Sequence, residues 1–350
     1  MAQLSATART EAIIRAGRQF TAFEGRFSVY GAFKAYLDMA RLLLPKEEVE
    51  SNKSNANAVP LYFPVLTKQT LTVITARACA ITGSNPVSAK PTISKITRGF
   101  EISVYPKVSD NNLISLEQQY ANGVMNGMRS VLVNLDTYAA AQLETNKSAV
   151  NATVGLPGLT ASAGGYTLTY DKRNRLYYYV PSIAARNDLN GVLLNIASTE
   201  SRELMLEYEA MGKYNNEDMR GVLEGDLPSA TGMRHYTSNR IENDTDPAVA
   251  ETHYLVQNGS IGVFTANDSD AVNRRTSDNL KSYLQTDPIM GIRWDVQESD
   301  VCEDLTGTYG AGFERTYGTK YQFAADFFFV HAYSSDTSKP IVKLELLAEA

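Results

Sequence analysis

Residues 111–146 read NNLISLEQQYANGVMNGMRSVLVNLDTYAAAQLETN. Their pattern predicts one helix of roughly 35 residues, about 50 Å long at about 1.5 Å per residue and about three times an average globular helix. Leu113, Leu116, Tyr120, Val124, Met128, Val131, Leu135 and Tyr138 recur at intervals of three and four. Gln119, Asn122, Asn126, Arg129 and Asn134 fall on the opposite side, so the rod is amphipathic with one packed face. Gly123 and Gly127 interrupt the pattern. Each costs about 1 kcal/mol relative to Ala, which points to close approach by another element or to a bend. Taken alone, the stripe describes a core helix; the purpose of so long a rod depends on its neighbours.

Upstream, residues 60–110 carry short β-branched runs, LYFPVLTKQTLTVITARACAITG and then SKITRGFEISVYPKVSD. Between them TGSNPVSAKPTIS, residues 82–94, is rich in Gly, Asn, Pro and Ser, which predicts a turn at the tip of a long hairpin. Two strands alone are marginal in water, so such a hairpin must lie on something else, another chain included. Before it, KEEVESNKSNANAV (46–59) has almost no apolar content and reads as an exposed linker or arm. Residues 5–44 have helical character in two pieces, the second closed by Pro45.

Downstream, residues 150–181 read as strands and turns, and a helix is predicted from about Asp188 to Met211. Asn187 or Asp188 would cap it, Leu189, Val192, Leu193 and Ile196 would form its buried side, and Gly212 would end it. Residues 213–252 are polar and read as a surface insertion. THYLVQNGSIGVFTAN predicts strands, SDNLKSYLQ a short helix ending at Asp287-Pro288, and MGIRWDVQESDVC a strand. KYQFAADFFFVHAY and PIVKLELLAEA predict two closing strands joined by SSDTSK. No internal repeat is present.

With 350 residues, 43% hydrophobic and 21% charged, the chain has the composition of a folded protein with a large core. The net charge of -6 speaks against a dedicated nucleic-acid binder, which needs clustered Lys and Arg. Charge is uneven, however. Residues 1–46 hold Arg9, Arg15, Arg18, Arg26, Lys34, Arg41 and Lys46 against Glu11, Glu24 and Asp38, a local excess of +4. A solvated basic helix face accounts for it most simply. Cys79 and Cys302 have no regular spacing, so neither a disulfide framework nor a zinc site is signalled, and a reducing compartment suits them. No secretory leader and no membrane-spanning apolar run is visible, which leaves the sequons NAT (151–153) and NGS (258–260) without meaning.

Chemistry-bearing motifs are absent: no phosphate-binding GxxxxGK[ST], no GxGxxG, no HExxH and no GxSxG. Of three histidines, His331 lies in the apolar FFFVHAY and reads as structural. Asp295, Glu298, Asp300, Glu303 and Asp304 supply hard oxygens but lack the spacing and glycine of a calcium loop, as does DSDAVNRRTSDN. No cofactor, metal or catalytic residue is therefore assigned. The 20 Tyr and 12 Phe beside a single Trp294 are explained mainly by core and cross-strand packing; Tyr is also enriched at interfaces.

The order of elements resembles the major capsid protein of tailed bacteriophages, a fold shared with encapsulins and the herpesvirus capsid floor. Element order and character carry the resemblance over nearly the whole chain; no residue motif does. It implies an α+β fold with residues 1–58 as N-terminal arm, 59–110 as extended loop and 111–164 as peripheral domain with its spine helix. Residues 165–322 would be the axial domain with a surface insertion, and 323–350 strands returning to the peripheral domain. The implied function is non-enzymatic: self-assembly into hexamers and pentamers of an icosahedral head enclosing double-stranded DNA, built in the host cytoplasm without a membrane. Portal and decoration proteins are implied partners, and the initiator Met1 favours a separate scaffolding protein. Some relatives cross-link through a loop lysine; Lys68, Lys90 and Lys95 lie in the matching region. Two other readings stay open, an encapsulin-like nanocompartment and a β-rich hydrolase with an acidic pair.

Overall fold

The computed structural model describes residues 5–24, 30–43, 61–62, 65–66, 88–89, 92–93, 95–108, 115–189, 191–212, 233–241, 248–266, 280–286, 291–332 and 339–349. The polar segments 46–59 and 268–279 lie outside these residues. Helices α1 (Ala6–Glu24) and α2 (Gly31–Leu43) come first. Four two-residue strands follow, β1 (Leu61–Tyr62), β2 (Val65–Leu66), β3 (Ser88–Ala89) and β4 (Thr92–Ile93), then β5 (Lys95–Val104). The long helix α3 (Leu116–Thr145) is succeeded by β6 (Leu159–Ser162), β7 (Gly165–Leu168), α4 (Leu176–Arg186), β8 (Leu193–Ser198) and α5 (Ser201–Gly212). The remaining strands are β9 (Arg234–Ser238), β10 (Val249–Gln257), β11 (Ile261–Ala266), β12 (Leu280–Thr286), β13 (Arg293–Glu303), β14 (Thr316–His331) and β15 (Ile341–Leu347).

Helix α3 begins at a capping box: the Gln118 N–H donates to Ser115 Oγ at 3.2 Å, and the Ser115 N–H to Gln118 Oε1 at 3.0 Å. Both donors would otherwise be orphaned. The helix is therefore 30 residues long, shorter than its apolar pattern suggests. Tyr120, Val124, Met128, Val131 and Leu135 are buried as the stripe requires, with Leu116 and Tyr138 half-buried against the same core. Asn122, Asn126, Arg129 and Asn134 are exposed.

Two sheets carry the fold. One has the order β6-β7-β15-β10-β8-β9, with parallel pairs at β7/β15 and β8/β9 and antiparallel pairs elsewhere. The other runs β11-β14-β13-β12, and β5 adds along β14 over the full ten-residue register from Lys95↔Phe328 to Val104↔Thr319. One apolar core joins α1, α2 and α3 to residues of both sheets, including Trp294, Phe323 and Phe327 as well as Leu194, Ile196 and Val256. A second core places Leu176, Val180 and Ile183 of α4 and Leu204 of α5 against Leu168, Leu255 and Val342. The six-stranded sheet is thus covered on both faces.

That double cover explains a correction. The expected helix from 188 to 211 is strand β8 followed by helix α5, all six residues of β8 being buried. A strand buried on both faces loses its alternation and reads as a continuous apolar run. Val192 is exposed, and Asp188 has φ 55°, so neither serves the expected helix. Residues 150–181 hold β6 and β7 as expected, but RLYYYVPS begins α4, with Pro181 inside it. SDNLKSYLQ is not helical in its described part: β12 pairs with β13 from Leu280↔Ser299 to Thr286↔Arg293. The expected insertion 213–252 contains β9 and the start of β10, with Met233, Thr237 and Ser238 buried; residues 213–232 and 242–247 lie outside the described residues. The two closing strands do form, in different sheets.

Candidate assembly surface

The paired strands β1–β4 form a nested ribbon. Leu61 pairs with Ile93 and Tyr62 with Thr92, while Val65 pairs with Ala89 and Leu66 with Ser88. All four pairs share one register, as a single hairpin demands. The expected tip, 82–94, needs correcting: Ser88–Ala89 and Thr92–Ile93 are strands of its returning arm, because Ser, Ala and Thr pair well enough once an opposite strand supplies the ladder. The ribbon belongs to neither large sheet.

Its returning arm runs into β5, and β5 is firmly seated. Ile102 and Val104 are buried and Phe100 half-buried, alternating with exposed Thr97, Gly99, Glu101 and Ser103. Phe100 stacks on Phe323 with ring centroids 4.6 Å apart and meets Trp294 edge-on at 6.0 Å. Lys95 pairs with Asp326 at 2.8 Å, Thr97 donates to the same carboxylate at 2.6 Å, and Arg98 donates to Asn134 of α3. Gly123 and Gly127 face Ile102 and Phe100, which answers why glycines interrupt α3. The root of the ribbon is clamped between a sheet and the longest helix.

Helices α1 and α2 lie against the same body. The carboxylate of Asp136, fully buried on α3, accepts the Phe33 N–H at 2.8 Å and the Ser238 hydroxyl. It thereby caps the first turn of α2 and ties it to the end of β9. Burial pushes this carboxyl up to about 6. Of the basic residues expected on one solvated face, Arg15 and Arg18 are exposed, but Arg9 turns inward to pair with Glu298. Arg26 and Lys46 lie outside the described residues.

The residues weighed for catalysis or metal binding do not converge. His331 donates to or accepts from the Tyr36 hydroxyl at 2.7 Å, and burial followed by Lys339 lowers its pKa to about 3. It is a neutral, half-buried histidine at the end of β14. Glu298 is committed to Arg9, Asp300 to Thr319, Glu303 to Lys320 and Tyr105, and Asp304 to Thr306. Among the described residues no group of three or more His, Cys, Asp or Glu is placed to hold a metal ion. Of the three lysines considered for cross-linking, Lys95 is ion-paired, and Lys68 and Lys90 lie outside the described residues. Cys302 is an exposed free thiol.

Sequence reasoning missed one buried polar chain. His235, Asn195 and His253 lie on adjacent strands; Asn195 contacts His235 Nδ1 at 3.2 Å and His253 Nδ1 at 3.3 Å. His253 continues to Glu251 at 3.3 Å, and Glu251 to Arg173 at 3.2 Å. Burial, then His253, lowers His235 to about 4. Apart from Glu251 and His253, two residues apart on β10, the members are far apart in sequence, so only strand pairing reveals them. Their burial makes them a structural network.

No protein-family model matches the chain, and no curated protein does. Among solved structures, it is similar to a chain from Mycobacterium phage Che8, with 10% identity, 87% of this chain and 89% of that chain covered, and a TM-score of 0.48. It is similar also to the capsid structure of the cyanophage P-SCSP1u, with 15% identity, 83% of each chain and a TM-score of 0.42. A third is the acidic stable capsid structure of Helicobacter pylori bacteriophage KHP30, with 9% identity, 82% and 85% coverage and a TM-score of 0.41.

Proposed function

We propose that this chain is a shell-building structural protein, the major capsid protein of a tailed phage, assembling into hexamers and pentamers around double-stranded DNA. The observation that carries the reading is the ribbon β1–β4: a two-stranded hairpin in one register, outside both sheets, continuous with a strand clamped beneath a 30-residue helix. A lone two-stranded ribbon is marginal in water. One built on so rigid a root is suited to deliver its surface to a neighbouring subunit, and symmetric self-association is the commonest source of such a neighbour.

In this reading residues 1–58 are the N-terminal arm, 59–110 the extended loop, 111–164 the peripheral domain, 165–322 the axial domain and 323–350 its returning strands to the periphery. The exposed Arg15 and Arg18 would face packaged DNA, held through non-specific phosphate contacts. Scaffolding, portal and decoration proteins would be separate chains. No described helix is long and apolar enough to cross a membrane.

Negative-stain electron microscopy of the purified protein, with light scattering on the same fraction, tests the proposal. Uniform polyhedral shells or flat hexameric sheets are expected. A monodisperse monomer across concentration and salt would overturn it.

A further inference from the structure

Helix α1 makes an unusual attachment. Among its described side chains only Ala12, Ile13 and Gly17 are buried, whereas Thr10, Glu11, Ile14, Arg15 and Arg18 are exposed. Two of these three are small, so among the described side chains packing on α3 removes little apolar surface from water. Helix α2 instead buries Phe33, Tyr36 and Met39 almost completely. What α1 has in addition is Arg9. Its guanidinium lies 4.9 Å over the Tyr283 ring, donates to the Tyr283 hydroxyl at 3.2 Å and pairs with Glu298, itself 4% exposed.

The receiving socket is built without α1. Tyr283 comes from β12, Glu298 from β13, Tyr321 from β14 and Tyr120 from α3, with the Tyr120 and Tyr321 rings 5.0 Å apart. Burial raises the pKa of Tyr120, Tyr283 and Tyr321, so the socket holds neutral phenols around one carboxylate. For Arg9, burial opposes the charge, but its contacts with Tyr283 and Glu298 outweigh that and raise the guanidinium pKa. When Arg9 leaves, Glu298 still has Lys281 at 3.8 Å, and the strands keep their ladders.

We infer that the stretch of α1 up to Arg18 is a strap latched to the body by the inserted Arg9, and that this stretch releases when Arg9 leaves the Tyr283–Glu298 socket while α3 and the sheets stay folded. The inference rests on the fold and is independent of the assembly reading. Hydrogen exchange on the full unassembled chain tests it, comparing the parent with Arg9→Ala, Glu298→Gln and the double variant. In Arg9→Ala the amides of residues 9–18 should exchange roughly a hundred-fold faster, with α3 protection unchanged. The double variant should exchange no faster there than Arg9→Ala, since both changes remove one interaction. Parent-like protection of α1 in Arg9→Ala would overturn the inference, as would loss of α3 protection in step with α1 or additive effects in the double variant.

Discussion

Asp136 is a carboxyl with no exposure to water, and its two acceptor contacts, to the Phe33 N–H and the Ser238 hydroxyl, join three elements. Asp136→Ala would strand both donors, a loss of roughly 1–3 kcal/mol, measurable by urea unfolding of the unassembled chain. The pKa near 6, against an ordinary 3.8, adds a signed pH effect. The folded chain holds the proton more tightly than the unfolded one. Its stabilisation is therefore present below about pH 4 and lost as pH rises through about 6. Asp136→Asn, permanently neutral, should gain on the parent across that window and level off above it; a pH-independent difference would refute the account. His235 acts in the opposite sense. Its pKa of about 4 lies below the ordinary 6.5, so its contribution is present above about pH 6.5 and lost as pH falls through about 4. As pH is lowered over that interval the parent's unfolding midpoint should fall relative to that of His235→Gln, the Asp136 contribution being common to both.

At the scale of elements, the contact between α3 and β5 sets the hairpin root, and the two glycines in α3 make opposite demands. A Cβ on Gly127 would overlap the Phe100 ring, itself stacked on Phe323, whereas one on Gly123 would meet the Ile102 methyl at 2.9 Å. Alanine gains about 1 kcal/mol in helix propensity at either site. Overpacking costs roughly 1–3 kcal/mol, so Gly127→Ala should destabilise while Gly123→Ala stays within about 1 kcal/mol of the parent. Thermal melts of both variants would check this ordering. The long helix was legible because one face is buried and the other wet, which preserves the 3.6-residue period. The glycines correctly signalled close approach. Strand β8 was illegible because both its faces are covered, and α4 because Tyr177, Tyr178, Tyr179 and Val180 are strong β-formers, a local preference overridden by burial of Leu176, Tyr179, Val180, Ile183 and Ala184 along one helical face while Tyr178 stays exposed. The hairpin was legible as an excursion, but the expected tip ran into β3 and β4 because Gly, Pro and Ser mark any interruption of a strand. Arg9 looked like one of several surface cations, since nothing local announces a carboxylate almost 290 residues away.

For the whole molecule, the question is whether the ribbon serves the subunit's own stability or something beyond it. In strand pairing the ribbon stands apart from both large sheets, and Leu66 pairs directly with Ser88. A two-residue Asn-Gly turn in place of residues 67–87 would therefore close the remaining ladder in the geometry that hairpins favour. Loop closure also becomes cheaper as the loop shortens. The shortened, unassembled subunit should consequently melt no lower than the full chain. If the ribbon's surface belongs against a neighbour, the same variant should fail to build shells at concentrations where the full chain succeeds, because the interface loses area that no monomer can replace. Electron microscopy and melting curves on the same preparation separate the outcomes. Normal shells from the shortened chain would make residues 67–87 dispensable for assembly. A lowered melting temperature would show instead that the ribbon packs on its own subunit, and the case for a reaching element would fall.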